Sequence, residues 1–294
     1  MTIRTVGVVG AGQMGSGIAQ VIATAGLDVR VYDSNGAQIN RARGVIEGSL
    51  ARFVQKEKMT SAERDAALMR IRFVADMSDL TGVDLVIEAI IEDLDAKRTL
   101  WQALENHCGP EVLFASNTSS LSIVDQTVGQ SHPERMLGLH FFNPVPMMGL
   151  VEVVRSVRTS EHVIARGVEF VRAIGKTPVT TRDESGFIVN LLLVPYLIDA
   201  VRALERGVGS IADIDAGMRL GAGYPMGPFT LLDVVGLDTV VLIGEIMFDQ
   251  HRESRYAPPP LLRRMVAAGY LGKKSGRGFY DWTGEQPVPM ELGL

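Results

Sequence analysis

Gly10, Gly12 and Gly15, in the stretch "VGVVGAGQMGSGIAQVIATAG", leave this chain few folds to choose from. They follow a short β-branched run, Thr5 to Val9, and open a helical pattern running from Met14 to Ala25. Gly10 can make the tight turn from strand to helix, Gly12 lets a pyrophosphate come close to the backbone, and Gly15 lets helix and strand pack closely. The amides at the head of that helix, where Gln13 and Met14 stand, suit bound phosphates. Asp33 ends the next apolar run, 18 residues past Gly15, where a carboxylate can bind both ribose hydroxyls of an adenosine half. The same charge repels a 2′-phosphate, and Ser34 and Asn35 supply no arginine to accommodate one. NAD is therefore the expected cofactor, with a flavin as the weaker alternative.

The rest of the first half alternates short apolar runs with longer amphipathic ones, the pattern of a parallel sheet wrapped by helices. Strands are expected at Thr5 to Val9, Asp28 to Tyr32, Ile71 to Val74, Asp84 to Glu88, Val112 to Ala115, Arg135 to Phe142, Leu150 to Arg155 and Thr177 to Thr181. Helices are expected at Met14 to Ala25, Ala37 to Lys56, Ser61 to Arg70, Leu94 to Asn106 and Glu161 to Ile174. Thr60 and Glu63 form a capping-box pattern, so residues 37–70 read as a helical pair inserted between two strands. From Ser185 the strand signal stops. Residues Ile188 to Ala268 read as helices punctuated by "GYPMGPF" and "YAPPPLL", with prolines suited to first helical turns. The reading is an α/β chain: a Rossmann-like doubly wound domain over 1–184, then an all-α domain over 185–294. The glycine-rich tail "GKKSGRGFYDW" is expected to be irregular.

In "LGLHFFNPVPMMGLVEVV", residues 137–154, one histidine and one glutamate interrupt apolar runs. Burying either is costly unless it is paired or used. If residues 143–149 connect two antiparallel strands, the midpoint between 140 and 152 falls on Pro146. His140 and Glu152 can then face one another as cross-strand neighbours, with Cβ atoms about 4.5–5.5 Å apart. A histidine can take or return a proton near neutral pH, and a carboxylate beside it orients the ring and favours its charged form. The plainer alternative is a core histidine satisfied by a backbone carbonyl. His107, His132, His162 and His251 lack such a setting and read as surface or packing residues.

Other polar residues carry two readings each. Ser119 in "NTSSLS" could be a helix cap or a substrate contact. Asn190 sits among apolar helix residues, where its amide needs a partner, from substrate or from another helix. Glu92 and Lys97 follow a strand end, at the sheet edge where open α/β sheets bind ligands, although surface placement is common for such charges. Arg41, Arg43, Arg52, Lys56 and Lys58 crowd the inserted helices, as a solvated face or as a site for phosphates. A net charge of −5 and a pI near 5.6 argue against a general nucleic-acid binder. The single cysteine, Cys108, leaves no cysteine cluster for zinc and fits a reducing cytosol. Neither a signal peptide nor a stretch long enough to span a membrane is visible, and the expected location is cytoplasmic.

Seven motifs, "GAGQMGSGIAQ", "IEAIIEDLDAK", "ASNTSSL", "GLHFFNPVPMMGLVEVV", "SGFIVN", "YPMGPF" and "LGKKSGRGFYDW", occur in the order and spacing of one family. From residue 5 to about 282 the chain resembles the short (S)-3-hydroxyacyl-CoA dehydrogenases, the bacterial 3-hydroxybutyryl-CoA dehydrogenases most of all. The resemblance implies NAD-dependent, reversible oxidation of a 3-hydroxyacyl-CoA, in fatty-acid β-oxidation. It makes His140 the acid/base, Glu152 its partner, and Ser119 and Asn190 hydrogen-bonding groups around the substrate oxygen. It places Glu92, Lys97, Ser119, Asn143 and Lys274 along the cofactor, and Ser49 and Lys56 against coenzyme A. It also implies a homodimer joined through the helical domain. The chain departs from the family pattern at Ser185, often proline, at Leu191, often basic, and at Gly149, often lysine. Two rival readings are a dehydrogenase of a free hydroxy acid or sugar acid, and a dinucleotide-binding protein without turnover.

Overall fold

In the computed structural model, which describes residues 2–293, the chain divides after Glu184 into two units. The first is built on an eight-stranded sheet. Its elements run β1 (Thr5–Val9), α1 (Gln13–Thr24), β2 (Asp28–Tyr32), α2 (Gly36–Gln55), α3 (Ser61–Met69), β3 (Ile71–Val74), β4 (Leu85–Glu88) and α4 (Leu94–Glu105). They continue through β5 (Leu113–Ser116), α5 (Ile123–Gln126), β6 (Met136–Phe141), β7 (Leu150–Arg155), α6 (Glu161–Ala173) and β8 (Thr177–Arg182). The strand order is β3-β2-β1-β4-β5-β6-β7-β8, and all neighbours are parallel except the β6–β7 hairpin. This is the doubly wound arrangement expected from the sequence, and its first six strands follow the dinucleotide-binding order.

The inner strands β4, β5 and β6 are buried at every position, which is why they read as nearly continuous apolar runs. Leu85, Ile87, Leu113, Ala115, Leu137, Leu139, Val151 and Val153 pack with Ile18 and Ile22 of α1 and Phe170 of α6. Alternate residues point the other way. There Trp101 of α4 stacks on Phe114 with ring centroids 5.1 Å apart. The alternation also sends Glu88, Ser116, His140 and Glu152 to this second face. Glu88 pairs in register with Ser116, and His140 with Glu152. The inserted pair α2–α3 begins at two side-chain caps: Asn35 accepts from Ala37 N, and the Thr60–Glu63 capping box forms as expected.

The second unit is helical: α7 (Val189–Glu205), α8 (Ile211–Ala216) with a π-helical turn at Gly217–Gly221, α9 (Pro228–Val235), α10 (Leu237–His251) and α11 (Pro260–Ala267). Pro228 and Pro260 occupy first-turn positions, where a missing N–H costs nothing. Leu197, Val201, Phe229, Leu232, Leu262 and Phe279 make its core. The tail is not irregular. Lys273–Ser275 forms a 3-10 turn, and β9 (Tyr280–Asp281) pairs with β10 (Val288–Pro289). Buried Asp233 organises it by accepting from Phe279 N, Tyr280 N and Trp282 Nε1, each at 2.8 Å. Asp233 is far away in sequence, so no local pattern announces the order it imposes. Among the described residues no helix is long and apolar enough to cross a membrane.

Candidate active site

The hairpin delivers the geometry its spacing promised. His140 Nδ1 lies 2.7 Å from Glu152 Oε2, with both side chains almost wholly removed from solvent. An ionised carboxylate can only accept, so Nδ1–H donates to it and Nε2 of a neutral ring is left as the acceptor. Nε2 stands 3.1 Å from Ser119 Oγ. Phe142 packs against the imidazole at 4.5 Å between centroids. Ser119 is not the helix cap: Ser122 is, accepting from Asp125 N at the start of α5. Asn117, buried beside Ser119, accepts from Phe141 N at 2.9 Å and ties the end of β5 to the end of β6.

A second charged cluster lies on the same face of the sheet. Lys97 is 1% exposed, with its Nζ 2.5 Å from Glu88 Oε1 and 3.3 Å from Glu92 Oε2. Glu88 also accepts from Ile90 N and Ser116 Oγ, each at 2.7 Å. Glu92 accepts from Thr118, Ser119 and Ser120. Burial alone would raise the Glu92 pKa, but the Lys97 ammonium and the Thr118 and Ser119 donors bring it below the ordinary carboxyl value. Glu92 and Lys97 are thus not ordinary surface charges. Sequence reasoning missed Glu88, Ser116 and Thr118. The available signal was an acid ending the apolar run "DLVIE", the same kind of feature that singled out His140.

The glycine turn fits a dinucleotide. Gly10 has φ +101°, and a Cβ there would lie 2.4 Å from Ala89 O. A Cβ on Gly15 would strike Gly10 O at 1.8 Å, whereas one on Gly12 would meet nothing within 4 Å. Two glycines are therefore required for packing, and the third keeps an open approach to the head of α1, where no side chain caps the amides. Asp33, at the end of β2, accepts from Ala11 N at 2.7 Å and Asn35 N at 2.8 Å, so it fixes the turn as well as offering lone pairs to a ribose. Gln13 Nε2 donates to Asn143 Oδ1 at 3.1 Å, joining the turn to the hairpin loop. Met14 packs partly buried against the core.

Beside that loop runs a groove of about 330 Å³. Ser49, Arg52, Lys56 and Lys58 give it a polar, basic side, while Phe53 and Met147 are among its apolar residues. Arg43, by contrast, lies over the Phe73 ring. Asn190 stands near the start of α7, and Lys274 pairs with Asp238 Oδ1 at 2.6 Å, both in the helical unit. His132 faces Glu134, and His251 Nε2 lies 3.2 Å from Ser185 O.

A dinucleotide cradle, with a buried histidine–carboxylate pair on the same sheet, defines a nicotinamide-dependent dehydrogenase of alcohols. Family models agree and narrow the class. Residues 5–184 match the NAD binding domain of 3-hydroxyacyl-CoA dehydrogenase, and residues 186–282 match its C-terminal domain. The chain belongs to the 3-hydroxyacyl-CoA dehydrogenase family. A 3-hydroxybutyryl-CoA dehydrogenase of Mycobacterium tuberculosis is 49% identical over 282 residues, covering 95% of this chain and 99% of that one. The solved structure of FadB2 from M. tuberculosis superposes with a TM-score of 0.95 at 49% identity, covering 96% of this chain and 100% of that one. That of (S)-3-hydroxybutyryl-CoA dehydrogenase PaaH1 from Ralstonia eutropha superposes with a TM-score of 0.92 at 42% identity, with coverage of 96% and 100%.

Proposed function

We propose that this chain interconverts (S)-3-hydroxyacyl-CoA and 3-oxoacyl-CoA esters with NAD, acting on short acyl chains such as 3-hydroxybutyryl-CoA. The observation that carries this reading is His140, held by Glu152 through Nδ1 and turned to Ser119 through Nε2. In the oxidative direction the substrate hydroxyl gives its proton to Nε2, and its carbon–oxygen bond becomes a carbonyl. Bound NAD supplies the acceptor for the hydride that leaves the same carbon. Glu152 steadies the imidazolium, and the ring returns the proton when the ketone is reduced. Ser119 and Asn190 would hydrogen-bond the substrate oxygen.

Gly10, Gly12, Gln13, Met14 and Gly15 would hold the pyrophosphate end, and Asp33 the adenosine ribose. Lys97, Ser119, Asn143 and Lys274 would line the remainder, with the Glu92 carboxylate behind them, turned to residues 118–120. Ser49 and Lys56 would meet coenzyme A, whose phosphates suit the basic side of the groove. The helical unit would join two copies as a homodimer in the cytoplasm. Exposed apolar residues such as Leu192, Leu220 and Leu242 support that assembly. The test is NADH consumption with 3-oxoacyl-CoA esters of increasing length, set against free acetoacetate. Turnover of acetoacetyl-CoA with little of acetoacetate is expected, and the reverse preference overturns the reading.

A further inference from the structure

Glu92 has the position of a cofactor contact, yet its carboxylate is heavily engaged inside the protein. Its Oε1 accepts from Thr118 Oγ1 at 2.5 Å, Ser119 N at 3.0 Å, Ser120 N at 3.3 Å and Ser120 Oγ at 3.2 Å. Donors from three consecutive residues converge on one oxygen. Its other oxygen faces Lys97, which is fastened in turn to Glu88. Glu88 is 0% exposed, and the backbone N–H of Ile90, just past β4, and the Ser116 hydroxyl at the end of β5 fix it. The line of contacts starts in the sheet and ends at Ser119, whose hydroxyl meets the catalytic ring.

We propose that Glu92, anchored through Lys97 to Glu88, is a positioning residue that clamps residues 118–120 and keeps the Ser119 hydroxyl on His140 Nε2. Residues 118–120 belong to no helix or strand, so no regular backbone ladder holds Ser119 in place. A hydroxyl contact at 3.1 Å survives only a small displacement of its backbone. One partly buried carboxylate that gathers several donors provides the required fixity, and a short apolar side chain does not. The proposal rests on the reading of His140 and Ser119 as the proton-handling pair. It differs from a cofactor contact in what it predicts: a loss in kcat rather than in affinity for NADH.

The experiment uses the full chain and compares Glu92→Ala, Glu92→Gln, Ser119→Ala and the Glu92→Ala/Ser119→Ala double variant. Three quantities are read: kcat for acetoacetyl-CoA reduction, Kd for NADH by nucleotide fluorescence, and the ring-nitrogen NMR resonances of His140. Glu92→Ala and Ser119→Ala should each lower kcat by roughly ten- to hundredfold, the worth of a hydrogen bond to a charged group. The double variant should be no worse than either single one, because both remove the same contact. Kd for NADH should change by less than about threefold in Glu92→Ala. Glu92→Gln keeps one accepting oxygen for residues 118–120 but sets an NH2 against Lys97, so it should lose less kcat than Glu92→Ala without regaining the wild-type value. The His140 resonances should move alike in Glu92→Ala and Ser119→Ala. Additive losses, unmoved His140 resonances in Glu92→Ala, or a loss confined to NADH affinity would overturn the proposal. If Ser119→Ala turns over normally, the proton-handling role of Ser119 fails, while the His140 resonances still decide whether Glu92 holds the serine.

Discussion

Both units bury charged side chains that fasten the chain, Glu88 in one and Asp233 in the other, but only the sheet unit also carries a buried charged line that ends on groups able to exchange a proton. In the helical unit Asp233 and Asp215 are saturated by the chain itself. Asp233 takes two backbone amides and an indole N–H. Asp215 takes Phe229 N, Thr230 N, the Thr230 hydroxyl and the Tyr280 hydroxyl. In the sheet unit the buried groups form a line from Glu152 through His140 to Ser119. That line ends on a ring nitrogen and a hydroxyl, both able to exchange a proton. Saturation by backbone amides makes a carboxylate a structural fastener, whereas a titratable ring at the end of a network makes it chemistry.

The largest effect should fall on the chemistry. His140→Gln should lose about 10² to 10⁴-fold in turnover while still binding NADH, the usual worth of a positioned acid/base. Near-normal turnover would put His140 on the same footing as Asp233. The converse substitution, Asp233→Ala, strips the acceptor from three donors and should cost roughly 3 kcal/mol or more in stability. Chemical denaturation would measure that loss, and protein that remains folded should still bind NADH. A drop in NADH affinity with unchanged stability would erase the contrast between the units.

A groove contact should weigh less. Lys56→Ala should raise KM for the acyl-CoA ester about tenfold and leave KM for NADH unchanged, as loss of one phosphate partner implies. An unmoved KM would return Lys56 to the solvated face of its helix. If Glu152 steadies an imidazolium as proposed, Glu152→Gln removes that charge. The alkaline limb of ketone reduction and the acidic limb of alcohol oxidation should then both move down, by roughly one pH unit. Profiles that stay in place would mean that Glu152 is a fastener too.

The smallest effect concerns acid. Burial would raise the Glu92 pKa, yet its donors hold it below the ordinary 4.5, so its contribution to stability is intact above that value and is lost as pH falls through the lowered one. Burial raises the Asp233 pKa above the ordinary 3.8, so its contribution is fullest below that value and declines as pH rises through the raised one. Acidification should therefore loosen residues 118–120 before the tail at 279–282. Amide exchange, corrected for its intrinsic pH dependence, would check the order.

The first unit was largely legible because its signals are local or periodic. Alternation marks the strands, glycine spacing marks the turn, and a hairpin midpoint on Pro146 pairs His140 with Glu152. The order of the tail is not legible in its own residues because Asp233 imposes it from α9, some 46 residues before Phe279. The Glu88–Lys97–Glu92 cluster was half-seen for a similar reason. Its two acids and lysine were visible in "IEAIIEDLDAK", but their mutual contacts and their hold on residues 118–120 were not.

What could be read from the residues in order was whatever repeats or turns within a few positions: the sheet, its cofactor turn and the paired site on one hairpin. What required the folded chain was the choice of partners for polar groups distant in sequence. Burial forces each such group to find a donor or acceptor, but several candidates of the right chemistry exist along the chain. Packing alone selects among them. That selection is why Asp233 fastens a tail, and why Glu92 reaches across to the loop that carries Ser119.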